Sequence, residues 1–177
     1  MDKTMVEKYK PTFLVEAVYQ LTPEMLKKHG FKAVLTDLDN TLIAWNNPLG
    51  TPELHTWLEE LKQAEIPVVV ISNNSHKRIE KAVAPFGIQF VSRAMKPMIK
   101  GFREAEKLLN LKPSELVMLG DQLMTDICGS NRAGIASVLV KPVVQSDSFA
   151  TKFNRMRERR VWKKLEKKYD MTFQEGI

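Results

Sequence analysis

Short apolar runs that alternate with stretches of helical periodicity constrain the fold of this chain more than any other feature of its sequence. The runs VVVI, LVML and SVLV are apolar at every position, as expected for strands of a parallel sheet that is covered by helices on both faces. We predict five strands, at Ala33–Thr36, Val68–Ile71, Gln89–Ser92, Leu116–Leu119 and Ser137–Val140.

The segments between these strands carry helix signals. Thr51 and Pro52 form an N-cap followed by a proline at the first helical position, and Gly87 and Gly134 stand where helices commonly end. Repeating strand–helix units predict an α/β fold with a three-layer, doubly wound, Rossmann-like parallel sheet. The predicted helices are Pro52–Ala64, Lys77–Phe86, Ile99–Leu109 and Thr125–Ala133.

The chain has 177 residues, a length that favours a single domain. We divide it into an N-terminal extension at 1–30, a catalytic core at 31–143 and a basic C-terminal segment at 149–170. The extension contains a short predicted helix that begins at Thr22-Pro23. The sequence leaves open whether the extension covers an edge of the sheet or shapes the opening of the site.

Cysteine content and hydropathy bear on the location of the protein. Cys128 is the only cysteine, so no disulfide forms within the chain and a reducing compartment is favoured. The first residues, MDKTMVEKYK, lack the apolar stretch of a secretory signal. No apolar run approaches the roughly 20 residues that a membrane-spanning helix needs. We therefore expect a cytoplasmic protein without a transmembrane segment.

The basic character of the chain is concentrated in one segment. The net charge is +6, and residues 151–168 hold nine Lys or Arg and two Glu, a net charge of +7 that leaves −1 for the rest. This pattern favours an acidic partner (lipid headgroups, nucleic acid or an acidic protein), although a solvated terminal helix is the alternative. The apolar residues of this segment fall on two helical faces, so we do not expect one continuous amphipathic helix. One face carries Phe149, Phe153 and Met156, and the other carries Val161, Leu165 and Tyr169.

Polar residues follow four of the predicted strands at the point where each strand ends. Ligands of an open parallel sheet bind beyond the carboxyl ends of its strands, so these residues are expected to converge at one edge. In strand order they are Asp37 and Asp39; Ser72, Asn73 and Asn74; Lys96; and Asp121 and Asp126.

Several carboxylates held close together repel one another and need a cation. Oxygen ligands without a His or Cys cluster suit Mg²⁺, and the three scattered histidines argue against zinc. We predict that Asp37, the backbone carbonyl of Asp39 and Asp121 hold Mg²⁺. Asp126 is expected to support the metal from outside or to pair with Lys96.

A metal and a lysine beside a carboxylate nucleophile form a site for a phosphate ester. We expect Asp37 to attack phosphorus and form an aspartyl-phosphate, and Asp39 to act as general acid and then as general base. The Ser72 hydroxyl and the backbone N–H of Asn73 are expected to bind phosphoryl oxygens. Lys96 is expected to contact both the phosphate and Asp37.

These residues resemble the four motifs of the haloacid dehalogenase (HAD) superfamily of phosphatases, over residues 31–143. DLDNTL matches the first motif, Ser72 the second, Lys96 the third and GDQLMTD the fourth. Asp39 is typical of the phosphatase branch, and Thr41 is expected to hold the first loop by hydrogen bonding. Asn40 stands where many relatives have glycine, and Ser72 where many have threonine. The stretches ISNNSHKRI, KPMIKGFREA, GDQLMTDICGSNRAG and VLVKPV are similar to subfamily IIIA and its YqeG-type group.

The spans 41–72 and 96–121 are too short for the cap domain that many superfamily members carry. We therefore expect an open site that admits a large leaving group, with Trp45 beside the opening. The exposed tryptophan and residues 151–168 favour peripheral contact with an anionic membrane at the inner face.

The resemblance of the YqeG-type group to phosphatidylglycerophosphate phosphatases makes that phospholipid the leading substrate of the expected Mg²⁺-dependent phosphatase. Phosphorylated nucleic-acid ends, a sugar phosphate, and a non-catalytic binding protein on the same fold remain as alternatives.

Overall fold

The computed structural model describes residues 4–144 and 149–177 and contains a single six-stranded, fully parallel sheet. All five predicted strands are present, each within one residue of its expected ends, and a sixth precedes them. The strands are β1 (Phe13–Val15), β2 (Ala33–Thr36), β3 (Val68–Ile71), β4 (Gln89–Val91), β5 (Leu116–Gly120) and β6 (Ala136–Val140). Their order across the sheet is β1-β6-β5-β2-β3-β4.

The strand order places a crevice at the centre of the sheet. From β2 the chain builds outward through β3 and β4, and it then returns to β5 on the other side of β2. The loops that leave β2 and β5 therefore depart in opposite directions, which opens the switch point where ligands of doubly wound sheets bind. In the register of these two strands, Thr36 pairs with Leu119 just before the predicted site residues begin.

Alternating side chains of the strands pack into two hydrophobic layers, which confirms the three-layer prediction. Val34 of β2 belongs to the layer beneath the helix that contains Trp57, and Leu35 belongs to the layer beneath the helix that contains Phe102. The α-helices are α1 (Thr4–Glu7), α2 (Pro23–Lys28), α3 (Pro52–Gln63), α4 (His76–Val83), α5 (Lys100–Leu109), α6 (Cys128–Ala133) and α7 (Phe149–Glu166).

Capping residues mark where helices begin, as at the start of α3. Thr51 Oγ1 accepts a hydrogen bond from the backbone N–H of Leu54 at 3.2 Å, at the start of α3. Instead of one regular helix from Thr125, the chain forms a π-helical turn at Leu123–Ile127 and continues into α6. Wide turns of this kind occur often at functional sites, because they redirect side chains.

The N-terminal extension covers an edge of the sheet, which settles the placement that the sequence left open. β1 pairs with β6, and Val15 is also bridged to Gln174 near the other end of the chain. The β1 run of three residues was too short to stand out in the sequence. The indole N–H of the buried Trp57 donates to the Leu21 carbonyl at 2.8 Å and joins the extension to α3.

The C-terminal segment forms one continuous helix, α7, from Phe149 to Glu166, and its described apolar residues do not form one stripe along the whole length, in agreement with the expectation that it is not amphipathic throughout. Among its described apolar residues, the later ones pack: Leu165 is fully buried, with Val161 beside it, against the edge formed by β1 and β6, whereas Met156 is exposed. Lys, Arg, Glu and Met are good helix formers, so the helix does not need one apolar stripe along its whole length. The side chains of Phe149 and Phe153 lie outside the described residues.

Within residues 4–144 and 149–177, no helix has both the length and the apolar character needed to cross a bilayer. The connection from β2 to β3 contains α3 alone, and the connection from β4 to β5 contains α5 and a short 3₁₀ turn. The described part of the chain therefore has no cap domain over the carboxyl edge of the sheet.

Candidate active site

A buried lysine lies at the centre of the carboxyl edge and joins two of its aspartates. Lys96 Nζ lies 2.9 Å from Asp37 Oδ1 and 2.6 Å from Asp126 Oδ1. The side chains of Lys96 and Asp126 are only 3% and 1% exposed, whereas Asp37 is 14% exposed. Asp37 is thus the member of this triad that a ligand can reach.

Three carboxylates meet at this point. Asp37, Asp121 and Asp126 each offer an oxygen within 4.8 Å of the oxygens of the other two, although Asp37 is far from Asp121 and Asp126 in the sequence. Oxygen donors with no His or Cys among them fit Mg²⁺. Both oxygens of Asp126 already accept hydrogen bonds, from Lys96 Nζ and from the backbone N–H of Gln122. Asp37 and Asp121 therefore have oxygens that could hold a metal ion directly.

Burial and mutual repulsion shift the titration of this cluster. Burial raises the pKa of Asp121 well above its usual value, and repulsion from Asp126 and Asp37 raises it further. Burial also raises the pKa of Asp126 to about 6, against the attraction of Lys96. Burial alone would lower the pKa of Lys96, but the attraction of Asp126 and Asp37 raises it above its usual value. The cluster is short of positive charge, as a cation site should be.

Gly120 explains why the fourth motif begins with glycine. A Cβ atom at this position would lie 2.3 Å from the Cβ of Asp126. Only a residue without a side chain lets β5 end so close to the buried carboxylate. The chain leaves β5 at Gly120, and the π-helical turn brings Asp126 back beside that end of the strand.

A carboxylate from the basic helix caps this turn, and the sequence reasoning missed it. The Glu158 carboxylate accepts hydrogen bonds from the backbone N–H groups of Leu123 at 3.0 Å and Met124 at 2.6 Å. Burial raises the pKa of Glu158 to about 7, although these two N–H groups lower it and the Asp126 charge adds to the rise. The sequence offered only a weak signal, one of two glutamates in a basic segment. α7 is thereby joined to the loop that carries Asp121.

Asp39 occupies a different environment from Asp37, at the mouth of the site. Its side chain is 38% exposed, and Arg78 Nη2 lies 3.0 Å from its Oδ1. Asn74 Nδ2 donates to its other oxygen at 2.8 Å and also lies 3.3 Å from Ser72 Oγ. The roles of Arg78 and of the Asn74 side chain were not predicted, since nothing in HKRI separates Arg78 from its basic neighbour.

The remaining predicted residues hold the loops of the site. The Asn73 side chain accepts from the Lys96 backbone N–H at 2.7 Å and donates to the Lys96 carbonyl at 3.1 Å. Asn40 has a left-handed backbone (φ 59°), which asparagine tolerates better than most residues. Thr41 Oγ1 donates to Asp121 Oδ1 at 3.2 Å. Trp45, on the loop that follows, is 71% exposed.

Mg²⁺ is expected to stabilise the folded protein more at about pH 8 than at about pH 5. A carboxyl group whose pKa is higher in the folded state stabilises that state while protonated. For Asp126 this contribution is complete below its ordinary value of 3.8 and is lost as the pH rises through about 6. A bound cation then offsets this loss of stability, because at a concentration of 100 Kd it raises the free energy of unfolding by about 2.7 kcal/mol. Thermal unfolding in chelator and in Mg²⁺ at both pH values measures the difference.

Two variants control this measurement. Asp121→Asn should lower the Mg²⁺ effect at the higher pH, and Glu104→Gln, at an exposed carboxylate on α5, should leave it unchanged. A Mg²⁺ effect of equal size at both pH values would contradict the assignment of the ion to this cluster.

Comparison with known proteins shows the family to which this chain belongs. A family model described as haloacid dehalogenase-like hydrolase matches residues 7–134. The chain is 43% identical to the Bacillus subtilis protein named "Probable phosphatase YqeG" over 93% of this chain and 96% of that protein. It is 33% identical to the Arabidopsis thaliana protein named phosphatidylglycerophosphate phosphatase 1, over 70% of this chain and only 38% of that protein.

Among solved structures, the fold is similar to that of a protein from Listeria monocytogenes serotype 4b. The TM-score is 0.53 and the sequence identity 20%, over 67% of this chain and 85% of that one. At this level of identity the likeness supports the fold alone.

Proposed function

Since this chain belongs to the haloacid dehalogenase-like hydrolase family and is one of its phosphatases, we propose that it is a Mg²⁺-dependent phosphomonoesterase whose substrate is a phospholipid monoester such as phosphatidylglycerophosphate. The observation that carries the catalytic part is the contrast between the two aspartates that follow β2. Asp37 lies inside the site against Lys96, and Asp39 lies at its mouth against Arg78.

Asp37 is the proposed nucleophile. One of its oxygens attacks phosphorus, the bond from phosphorus to the alcohol oxygen breaks, and an aspartyl-phosphate forms. Lys96 and the N–H groups after β3 offset negative charge on the phosphoryl oxygens, and the Ser72 hydroxyl lies at the same strand end. Water then attacks phosphorus, and Asp37 is released with inorganic phosphate.

Asp39 is the proposed proton carrier. It gives a proton to the departing alcohol oxygen and takes one from the attacking water. In the structure, nitrogen donors face both of its oxygens, which fits the ionised form that acts as the base. To act as the acid, Asp39 must present a protonated oxygen to the departing alcohol oxygen, where a donor now lies. Arg78 is 56% exposed, so it is the donor that a substrate can displace.

Asp37, Asp121 and the backbone carbonyl of Asp39 are the proposed ligands of Mg²⁺, with Asp126 held by Lys96 beside them. When bound, Mg²⁺ supplies positive charge that neutralises the phosphoryl oxygens and the carboxylates together. The residues of the chain provide the rest, since Lys96 fixes Asp37 and Thr41 fixes Asp121.

Two observations support a lipid substrate. The carboxyl edge is crossed only by loops in the described part of the chain, so a headgroup that remains in a bilayer could reach Asp37. The similarity to a protein named as a phosphatidylglycerophosphate phosphatase points to the same chemistry, although this chain spans little more than a third of that protein. We further propose that the enzyme acts at the cytoplasmic face of the membrane.

Phosphate release from phosphatidylglycerophosphate in vesicles tests the proposal. We expect Mg²⁺-dependent release that chelator abolishes, with higher kcat/KM than for glycerol 3-phosphate, a sugar phosphate or a 5′-phosphorylated oligonucleotide. Asp37→Asn is the inactive control. Good turnover of any soluble ester without turnover of the vesicle lipid would reject the lipid substrate and retain the phosphatase.

A further inference from the structure

One side of the active-site mouth carries exposed apolar and basic side chains together. Met95, Met98 and Ile99, in the segment between β4 and α5, are 54%, 55% and 41% exposed. The same segment and the start of α4 also carry exposed cationic side chains. We call the following set the basic–apolar patch: Lys77, Arg78, Arg93, Met95, Met98, Ile99 and Lys100.

Contacts between its two segments make the patch one surface. The backbone N–H of Arg93 donates to the Asn74 carbonyl at 3.0 Å, and the Asn73 side chain holds the Lys96 backbone from both sides. Arg78 extends from the patch to Asp39, so the patch reaches the mouth of the site. A partner that covers the patch therefore also meets the reacting groups.

The patch itself carries only positive charge, and two of its cations have an acidic neighbour: Arg78 pairs with Asp39, and Lys100 Nζ lies 3.9 Å from Glu104. Residues 72–79 and 92–103 contain no Asp or Glu, and their exposed polar surface includes Lys77, Arg78, Arg93 and Lys100. Large apolar side chains are also exposed on the loop after Asp39, where Trp45 and Leu49 are 71% and 64% exposed and residues 41–50 hold no charge. Apolar side chains enter the interface of a bilayer, and surrounding cations bind anionic headgroups.

We propose that the basic–apolar patch docks the enzyme on an anionic phospholipid surface, with the active-site mouth turned to the headgroups. This inference rests on the proposed lipid substrate and adds the surface by which the enzyme would bind the bilayer that contains this substrate. A bilayer fits the patch better than a protein does, because a protein seated there would obstruct the mouth, whereas a bilayer delivers the substrate to it. Nucleic acid would use the cations but leave the methionines and Ile99 without apolar partners.

Flotation of the full chain with vesicles tests the proposal. Phosphatidylcholine vesicles with phosphatidylglycerol should bind the protein, and those without it should bind it weakly. Arg93→Gln with Lys100→Gln should weaken binding about 30-fold, since each cation near an anionic surface contributes about a factor of five. Met98→Ser with Ile99→Ser should weaken it about tenfold or more.

Matched controls lie on the far end of α5. Leu108 is 48% exposed, and Lys107 lies beside it, about 10 Å along the helix from Lys100. Leu108→Ser and Lys107→Gln should bind vesicles as the wild type does. All of these variants should hydrolyse p-nitrophenyl phosphate at the wild-type rate, because none of the replaced residues lies in the catalytic machinery.

Trp45 supplies an independent readout. Of the three tryptophans, Trp57 is buried and Trp162 is partly buried against Phe173, so a shift of emission to shorter wavelength on vesicle binding should come mainly from the exposed Trp45. Trp45→Phe should remove the shift.

The outcomes separate the two proposals. Loss of vesicle binding in the patch variants but not in the controls supports the docking surface, even if the lipid is not hydrolysed. Equal vesicle binding and equal lipid turnover by wild type and patch variants would overturn it while leaving the lipid substrate in place. A wild-type protein that binds neither kind of vesicle would overturn it as well, and would direct the search to a protein partner.

Discussion

Replacing Asp37 with Asn is expected to abolish phosphate release while leaving the protein folded. Asparagine keeps the shape of aspartate but cannot attack phosphorus, so the loss should be on the order of 10⁴-fold or more, as for removal of a nucleophile in other enzymes. The variant should remain folded for two reasons. Asp126 still pairs with Lys96 at 2.6 Å, and removal of one charge relieves the repulsion that raises the pKa of Asp121.

Phosphate release and thermal unfolding measure the two parts of this prediction. Glu104→Gln, at an exposed carboxylate, serves as the control and should be fully active. Residual activity within tenfold of wild type would contradict the role of Asp37. A collapse of the folded state would instead show that the Lys96 contact of Asp37 is needed for stability.

Asp39→Asn separates the second carboxylate from the first. A proton donor matters when the leaving group is a poor one, and little when it is good. The variant should therefore lose much more activity on glycerol 3-phosphate than on p-nitrophenyl phosphate, whereas Asp37→Asn should lose activity on both. Equal losses on the two esters would argue against Asp39 as the acid.

Much of the fold could be predicted because each inner strand is apolar on both faces. Val34 and Leu35 are adjacent in the sequence, lie in opposite layers and are both fully buried. A run with this composition is typical of parallel sheets with two helical layers, so strand positions and the edge where motifs converge follow from it. β1 escaped prediction because three residues do not form a pattern, and pairing to β6 rather than local sequence defines it.

The parts of the site that could not be predicted depend on contacts between distant segments. Arg78 meets Asp39 only because α4 begins at the mouth of the site. Lys77 beside it is also positively charged and exposed, so the sequence does not tell the two apart. Glu158 meets Leu123 only because α7 packs along the edge of the sheet. Local periodicity carries no information on either pairing, whereas the strand-end residues share one edge by topology alone.

Replacing Lys96 with Met is expected to destabilise the fold as well as to remove activity. The methionine side chain leaves Asp126, which is 1% exposed, without its cation and with carboxylate oxygens of Asp37 and Asp121 within 4.8 Å. Breaking a buried ion pair from one side costs about 3–5 kcal/mol. For a chain of this length that corresponds to a decrease in Tm of roughly 6–20 °C.

A double variant tests whether this cost comes from the uncompensated charge. Lys96→Met combined with Asp126→Asn removes both members of the buried pair, so it should recover part of the lost stability. It should not recover activity, because the cation that holds Asp37 and meets the phosphate is still missing. Urea unfolding and phosphate release of the two single variants and the double variant complete the cycle.

Stability losses that simply add in the double variant would show that Lys96 and Asp126 stabilise the fold independently, despite the 2.6 Å contact. The expected non-additive result would instead show that the two side chains stabilise the fold as a pair. Two apolar residues would fill the same space at least as stably. On the proposed mechanism, the ammonium group held beside Asp37 positions the nucleophile and offsets the charge of a phosphate.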